Sequence, residues 1–67
     1  MTRHPSPAEI LAARRAAGLT QSQAARLINL PPPRWSEYET GKVRMSWQMW
    51  RLFRLLVGQE DLPDNLR

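Results

Sequence analysis

The apolar positions of this 67-residue chain recur at helical spacing, and nowhere does a run alternate as a strand would. The first periodic segment opens at Ser6-Pro7-Ala8-Glu9. A serine N-cap, a proline at the first helical position and a glutamate at the third compose a capping box. The segment runs through the alanine-rich AEILAARRAA and stops at Gly18, placed as the residue after the C-cap. Thr20-Gln21-Ser22-Gln23 repeats the capping-box pattern and starts a second helix over residues 21–28, with Ala24, Ala25 and Ile28 on one face. Alanines there let another helix approach closely.

A third helix emerges from NLPPPRWSEYETG. The residue before a proline is biased away from the helical region. Leu30, Pro31 and Pro32 are therefore expected to be extended, and Pro33 to be the first helical residue, where its missing N–H would have been unpaired anyway. Trp35 and Tyr38, three apart, form the inward face, and Gly41 ends the helix. The second helix, a stiff elbow and the third make a helix-turn-helix. A fourth helix opens with Ser46 as N-cap, covers residues 47–57 and ends at Gly58. Its apolar residues spread over about 220° of the helical wheel, roughly twice what one small core needs, so part of that arc is expected to meet a partner. The fold expected is all-α, a compact four- to five-helix bundle over residues 6–58. Residues 1–5 form an N-terminal arm, and residues 59–67 a short acidic tail or helical turn.

Composition narrows the chemistry. The chain is close to the lower size limit for a single unaided core. It has no cysteine and a single histidine, His4, so neither disulfides nor a metal site is expected, and no cofactor. The longest apolar run is Leu55-Leu56-Val57, which excludes a membrane-spanning helix. No nucleophile–base pair or glycine-rich phosphate loop is present, so an enzyme is not expected. Ten lysines and arginines against six acids give a formal net charge of +4. Three of those acids, Glu60, Asp61 and Asp64, sit in the tail, which leaves the body more basic than the whole. A basic body reads as a polyanion binder, nucleic acid first, or simply as a solvated surface.

The stretch GLTQSQAARLINLPPPRWSEYETGK, residues 18–42, resembles the DNA-binding module of the phage Cro/repressor-like regulators, the XRE family. Leu19-Thr20-Gln21, Ala25, Ile28, Trp35, Tyr38, Glu39, Gly41 and Lys42 fall where that family has its Leu-Thr-Gln start, its apolar core positions and its closing Glu-x-Gly. With the first and fourth helices the likeness covers residues 7–57. The segment RWSEYETGKVRMSWQMWRLF also resembles small phage regulators encoded beside anti-CRISPR genes. Two departures stand out. Asn29 replaces the usual glycine, and asparagine tolerates the left-handed conformation that the turn requires. Pro32 and Pro33 fall where relatives carry base-reading side chains; a proline ring can touch a thymine methyl but cannot read a base edge by hydrogen bonds.

Reading is therefore expected to shift along the third helix. With Trp35 and Tyr38 inward, Pro33, Ser36, Glu37 and Thr40 lie on the opposite side and Arg34 on its flank. Glu37 has two readings: accepting from cytosine N4, or pairing with Arg34 one turn away. Lys42 and Arg44, just beyond the helix, are the expected phosphate contacts, as is Gln21 at a helix N-terminus. The resemblance implies an ion pair between Arg14 and Glu39. It also implies that Trp50, Phe53 and Val57 face inward, leaving Met49, Leu52 and Leu56 for a second subunit. The function it implies is a cytoplasmic, nucleoid-associated transcriptional regulator of bacterial or phage origin, a homodimer binding an inverted-repeat operator in double-stranded DNA. So short a chain leaves no room for an effector domain, so repression by occupying a promoter is expected. An antitoxin that holds a toxin and autoregulates is the first alternative. A protein–protein adaptor that keeps the fold and has lost DNA is the second.

Overall fold

The computed structural model describes residues 4–61 and residue 65; the rest of the expected arm and tail lies outside the described residues. Four α-helices appear and, among the described residues, no strand: α1 (Pro7–Ala16), α2 (Gln21–Leu27), α3 (Pro32–Thr40) and α4 (Trp47–Leu56). No fifth α-helix is seen among the described residues, and Asn65 in the tail lies in a 3-10 turn.

Both capping boxes form. The Ser6 hydroxyl accepts from the Glu9 amide and the Glu9 carboxylate from the Ser6 amide; Thr20 and Gln23 repeat the exchange at α2. Three helices end alike, with a left-handed residue closing the last turn: Gly18 after α1, Asn29 (φ 62°) after α2 and Gly58 after α4. In each, the amide of the following residue reaches back to a carbonyl of the last turn: Leu19 to Arg14, Leu30 to Ala25 and Gln59 to Arg54. Asn29 thus adopts the glycine-like conformation that the turn between α2 and α3 needs.

The start of α3 differs from expectation by one residue. Pro31 is the extended N-cap (φ −65°, ψ 141°), so Pro32 and Pro33 occupy the first and second helical positions. The steric bias imposed by a following proline holds at Pro31 and is overridden at Pro32. A helix start normally leaves four N–H groups unpaired. Here Pro31, Pro32 and Pro33 have none, and the Arg34 amide donates to the Pro31 carbonyl at 3.0 Å. No donor remains, which is why α3 manages without a side-chain cap. The far ends of α2 and α4 are each one residue shorter than expected, with Ile28 and Val57 serving as C-caps.

The core lies where α1 and α2 pack against α3 and α4 packs against α2. Trp35 and Phe53 are fully buried with ring centroids 4.8 Å apart, and Tyr38 meets the Trp35 ring edge-on at 6.4 Å. Ile10, Ala24, Ala25, Ile28, Met45 and Trp50 add to it. The two buried alanines bring α2 against α3, as their size predicts, and this packing fixes the angle of α3 on the body.

Candidate functional site

One carboxylate braces α3. Glu39, in its last turn, has a side chain only 7% exposed and sits beside Arg14 of α1, whose side chain is 15% exposed. Arg14 donates from Nε to Oε2 at 2.5 Å and from Nη2 to Oε1 at 3.2 Å, and its Nη1 holds the Leu19 carbonyl at 2.9 Å. Gln21 Nε2, at the start of α2, donates to Oε1 at 2.9 Å, and Trp35 Nε1 donates to Oε2. A single acid therefore ties α1, α2 and α3 together. The implied Arg14–Glu39 pair is present, and Gln21 and Trp35 join it. Gln21, expected as a phosphate contact, donates in the free chain to this carboxylate, an ionised and therefore strong acceptor.

Burial pushes the Glu39 carboxyl up, but the hydrogen bonds from Arg14, Gln21 and Trp35 and the Arg14 charge outweigh it, and the group titrates below its ordinary 4.5. A carboxyl with a lowered folded value stabilises the fold fully above its unfolded value, and the contribution fades as pH falls through the folded one. Urea midpoints of wild type and Glu39→Gln should accordingly differ by a constant amount near neutrality and converge below about pH 4.5. A gap unchanged down to pH 3 would remove the linkage.

The outer side of α3 carries the expected reading residues. Pro32, Pro33, Arg34 and Thr40 are exposed or nearly so, and Ser36 and Glu37 half-buried. Arg34 Nε lies 3.2 Å from Glu37 Oε1, one turn away. Of the two readings of Glu37, this chain on its own adopts the pairing. So exposed a pair is worth only about 0.2–1 kcal/mol, little enough for a base edge to displace. The Thr40 hydroxyl donates to the Glu37 carbonyl at 3.2 Å, within its own helix. Lys42 and Arg44 follow in the loop over residues 41–46, and neither makes an ion pair among the described residues.

The wide apolar arc of α4 divides differently from the expectation. Trp50 and Phe53 are buried, and Trp47, Met49 and Val57 pack partly buried against the same core. Met49 is the departure, since it packs against this chain's own core. That leaves Leu52 and Leu56, 41% and 52% exposed, as the uncovered part of the arc. Leu27, at the end of α2, is an exposed apolar residue that the helical pattern did not single out. Arg51 and Arg54 both pair with Glu60, at 2.8 and 2.9 Å, and Arg54 also lies over the Trp50 ring. Part of the tail's acidity thus neutralises the outer flank of α4, while Lys42 and Arg44 keep their charge without an ion pair among the described residues.

Among the described residues no group of acids or histidines could hold a metal ion, and no helix is long and apolar enough to cross a membrane. A family model described as a helix-turn-helix domain matches residues 5–61. A search of curated proteins returned no match.

Proposed function

The chain belongs to the helix-turn-helix domain family, of the XRE/Cro-like type, and from that premise we propose a sequence-specific, dimeric repressor of transcription that occupies an inverted-repeat operator. The observation that carries the reading is the contrast between the two sides of α3. Its inner side is held by Trp35, Tyr38 and the Glu39 brace, while its outer side presents Arg34, Ser36 and Glu37 beside the cations Lys42 and Arg44. A rigid helix with a basic flank is what a major groove accepts. Pro32 and Pro33 lie at the mouth of α3, so base reading falls to Arg34, Ser36, Glu37 and Thr40, and backbone positioning to Lys42 and Arg44.

Selection from a randomised duplex library tests this reading, with recovery of a consensus as the expected result and random recovery as the outcome against it. Lys42→Ala and Arg44→Ala should weaken consensus and random duplexes alike. Each should also make the dependence of log K on log salt shallower by about 0.9, the share of a single phosphate. A drop in affinity confined to the consensus would reassign these residues to base reading.

Leu52 and Leu56 support the dimer, since two large exposed leucines one turn apart on α4 suit a two-fold contact. Wild type should sediment as a dimer at micromolar concentration, and Leu52→Glu as a folded monomer. The recovered sites should then be inverted repeats with half-sites about 10 bp apart. A wild-type monomer at high concentration, bound to one asymmetric half-site, would overturn the dimer and give the leucine face to another protein, as in an antitoxin.

A further inference from the structure

The segment before α1 lies across the loop that follows α3. His4 Nδ1 is 2.8 Å from the carbonyl oxygen of Met45, so it donates to a residue 41 positions away in sequence. Pro5 is buried. The Pro7 ring stands 3.4 Å from where a side chain on Gly41 would begin, and Gly41 is left-handed at φ 82°. Residues 4–7 on one side, and Gly41, Val43, Arg44 and Met45 on the other, enclose a half-open cavity of about 370 Å³.

The loop has few supports of its own. The amides of Gly41 and Val43 bond back to the Tyr38 and Glu37 carbonyls, both at 3.3 Å. Beyond Val43 it is held from outside, by the fully buried Met45 side chain and by His4 on the Met45 carbonyl. Arg44 lies directly before that anchored residue, and Lys42 two positions earlier.

We propose that His4 is a positioning residue for nucleic-acid binding: as a strap over the loop it fixes where Lys42 and Arg44 present their charges to the phosphate backbone. The inference rests on the reading of those two residues as phosphate contacts. Fixing the loop beforehand removes an ordering cost that binding would otherwise meet, so loss of the strap weakens binding without removing a charge. His4 is on the surface, and its single bond to the loop is not needed to fill the core.

Full-length protein is titrated with a mixed-sequence duplex of about 20 bp at several salt concentrations, with thermal midpoints measured alongside. His4→Ala should bind about three- to tenfold more weakly, the range that loss of one hydrogen bond allows. Its midpoint should lie far above the assay temperature, and His4→Asn, whose amide nitrogen replaces Nδ1, should recover most of the affinity. The deciding arm repeats His4→Ala in the Lys42→Ala/Arg44→Ala background, where it should have no further effect. An undiminished effect there would mean that His4 acts on the duplex directly or through the fold, and overturns the proposal. Wild-type binding by His4→Ala also overturns it, as does failure of asparagine to rescue. If Lys42→Ala/Arg44→Ala itself binds like wild type, it is the phosphate reading of the loop that fails.

Discussion

Glu39→Ala should be largely unfolded at 25 °C. Removing the carboxylate leaves Arg14 without its counter-ion in a site where its side chain is only 15% exposed, and a stranded charge of that kind costs about 3–5 kcal/mol. The same change takes the acceptor from the indole N–H of fully buried Trp35, which adds about 1–3 kcal/mol. A domain of this length holds only about 3–10 kcal/mol in all. The two effects together approach or exceed that reserve. Far-UV circular dichroism should show diminished helicity, and duplex binding should vanish with it. Glu39→Gln keeps an acceptor and should be less damaging. A Glu39→Ala protein that melts within about 3 °C of wild type, far less than the shift that 3–5 kcal/mol produces in so small a domain, would show that the brace is ornamental.

Arg34→Ala and Glu37→Gln should change which duplex is chosen rather than how firmly duplexes in general are held. Each should alter discrimination by about 1–3 kcal/mol at one base pair per half-site. In the free chain these side chains pair with one another at 3.2 Å, and both are exposed enough to release at small cost. Glu37→Gln is the sharper variant. If the carboxylate accepts from cytosine, the amide should relax that position or shift it toward adenine. If Glu37 only restrains Arg34, the variant should bind every sequence slightly more tightly with the ranking unchanged. Selection matrices for the three proteins check this. Identical matrices would move specificity to the proline rings, to DNA shape, or to Arg3, which lies outside the described residues.

Much of the fold is legible in the sequence because its signals are local. Ser6 with Glu9 and Thr20 with Gln23 announce helix starts within four residues, and Asn29 stands where a left-handed residue closes α2. Trp35 and Tyr38 mark the inner side of α3 by spacing alone. Bonds between distant segments are not legible in that way. The Arg14–Glu39 pair follows from the family likeness, not from spacing. Helical spacing makes Trp35 an apolar filler and hides the one polar edge that joins it to Glu39. A helix N-terminus suits an anion, so Gln21 reads as a phosphate contact, and nothing near it in sequence reveals its bond to Glu39. Met49 and Leu52 are both apolar and three apart, so only the packed structure separates the one that joins the core from the one left uncovered. The bonds from His4 to Met45 and from Glu60 to Arg51 and Arg54 depend on how the ends of the chain return to the body, which no helical pattern encodes.

The proline start of α3 has a consequence for recognition. The N-terminus of a helix ordinarily attracts oxygen anions because free amide hydrogens line its mouth. In α3 those hydrogens are absent at Pro31, Pro32 and Pro33, and the Arg34 amide is already engaged with the Pro31 carbonyl. α3 keeps its dipole and has no free backbone donor with which to grip through it. A phosphate at that mouth would meet three rings and no free backbone amide. Under the proposed function, its seating in a groove would fall to side chains further along and to the cationic loop behind it.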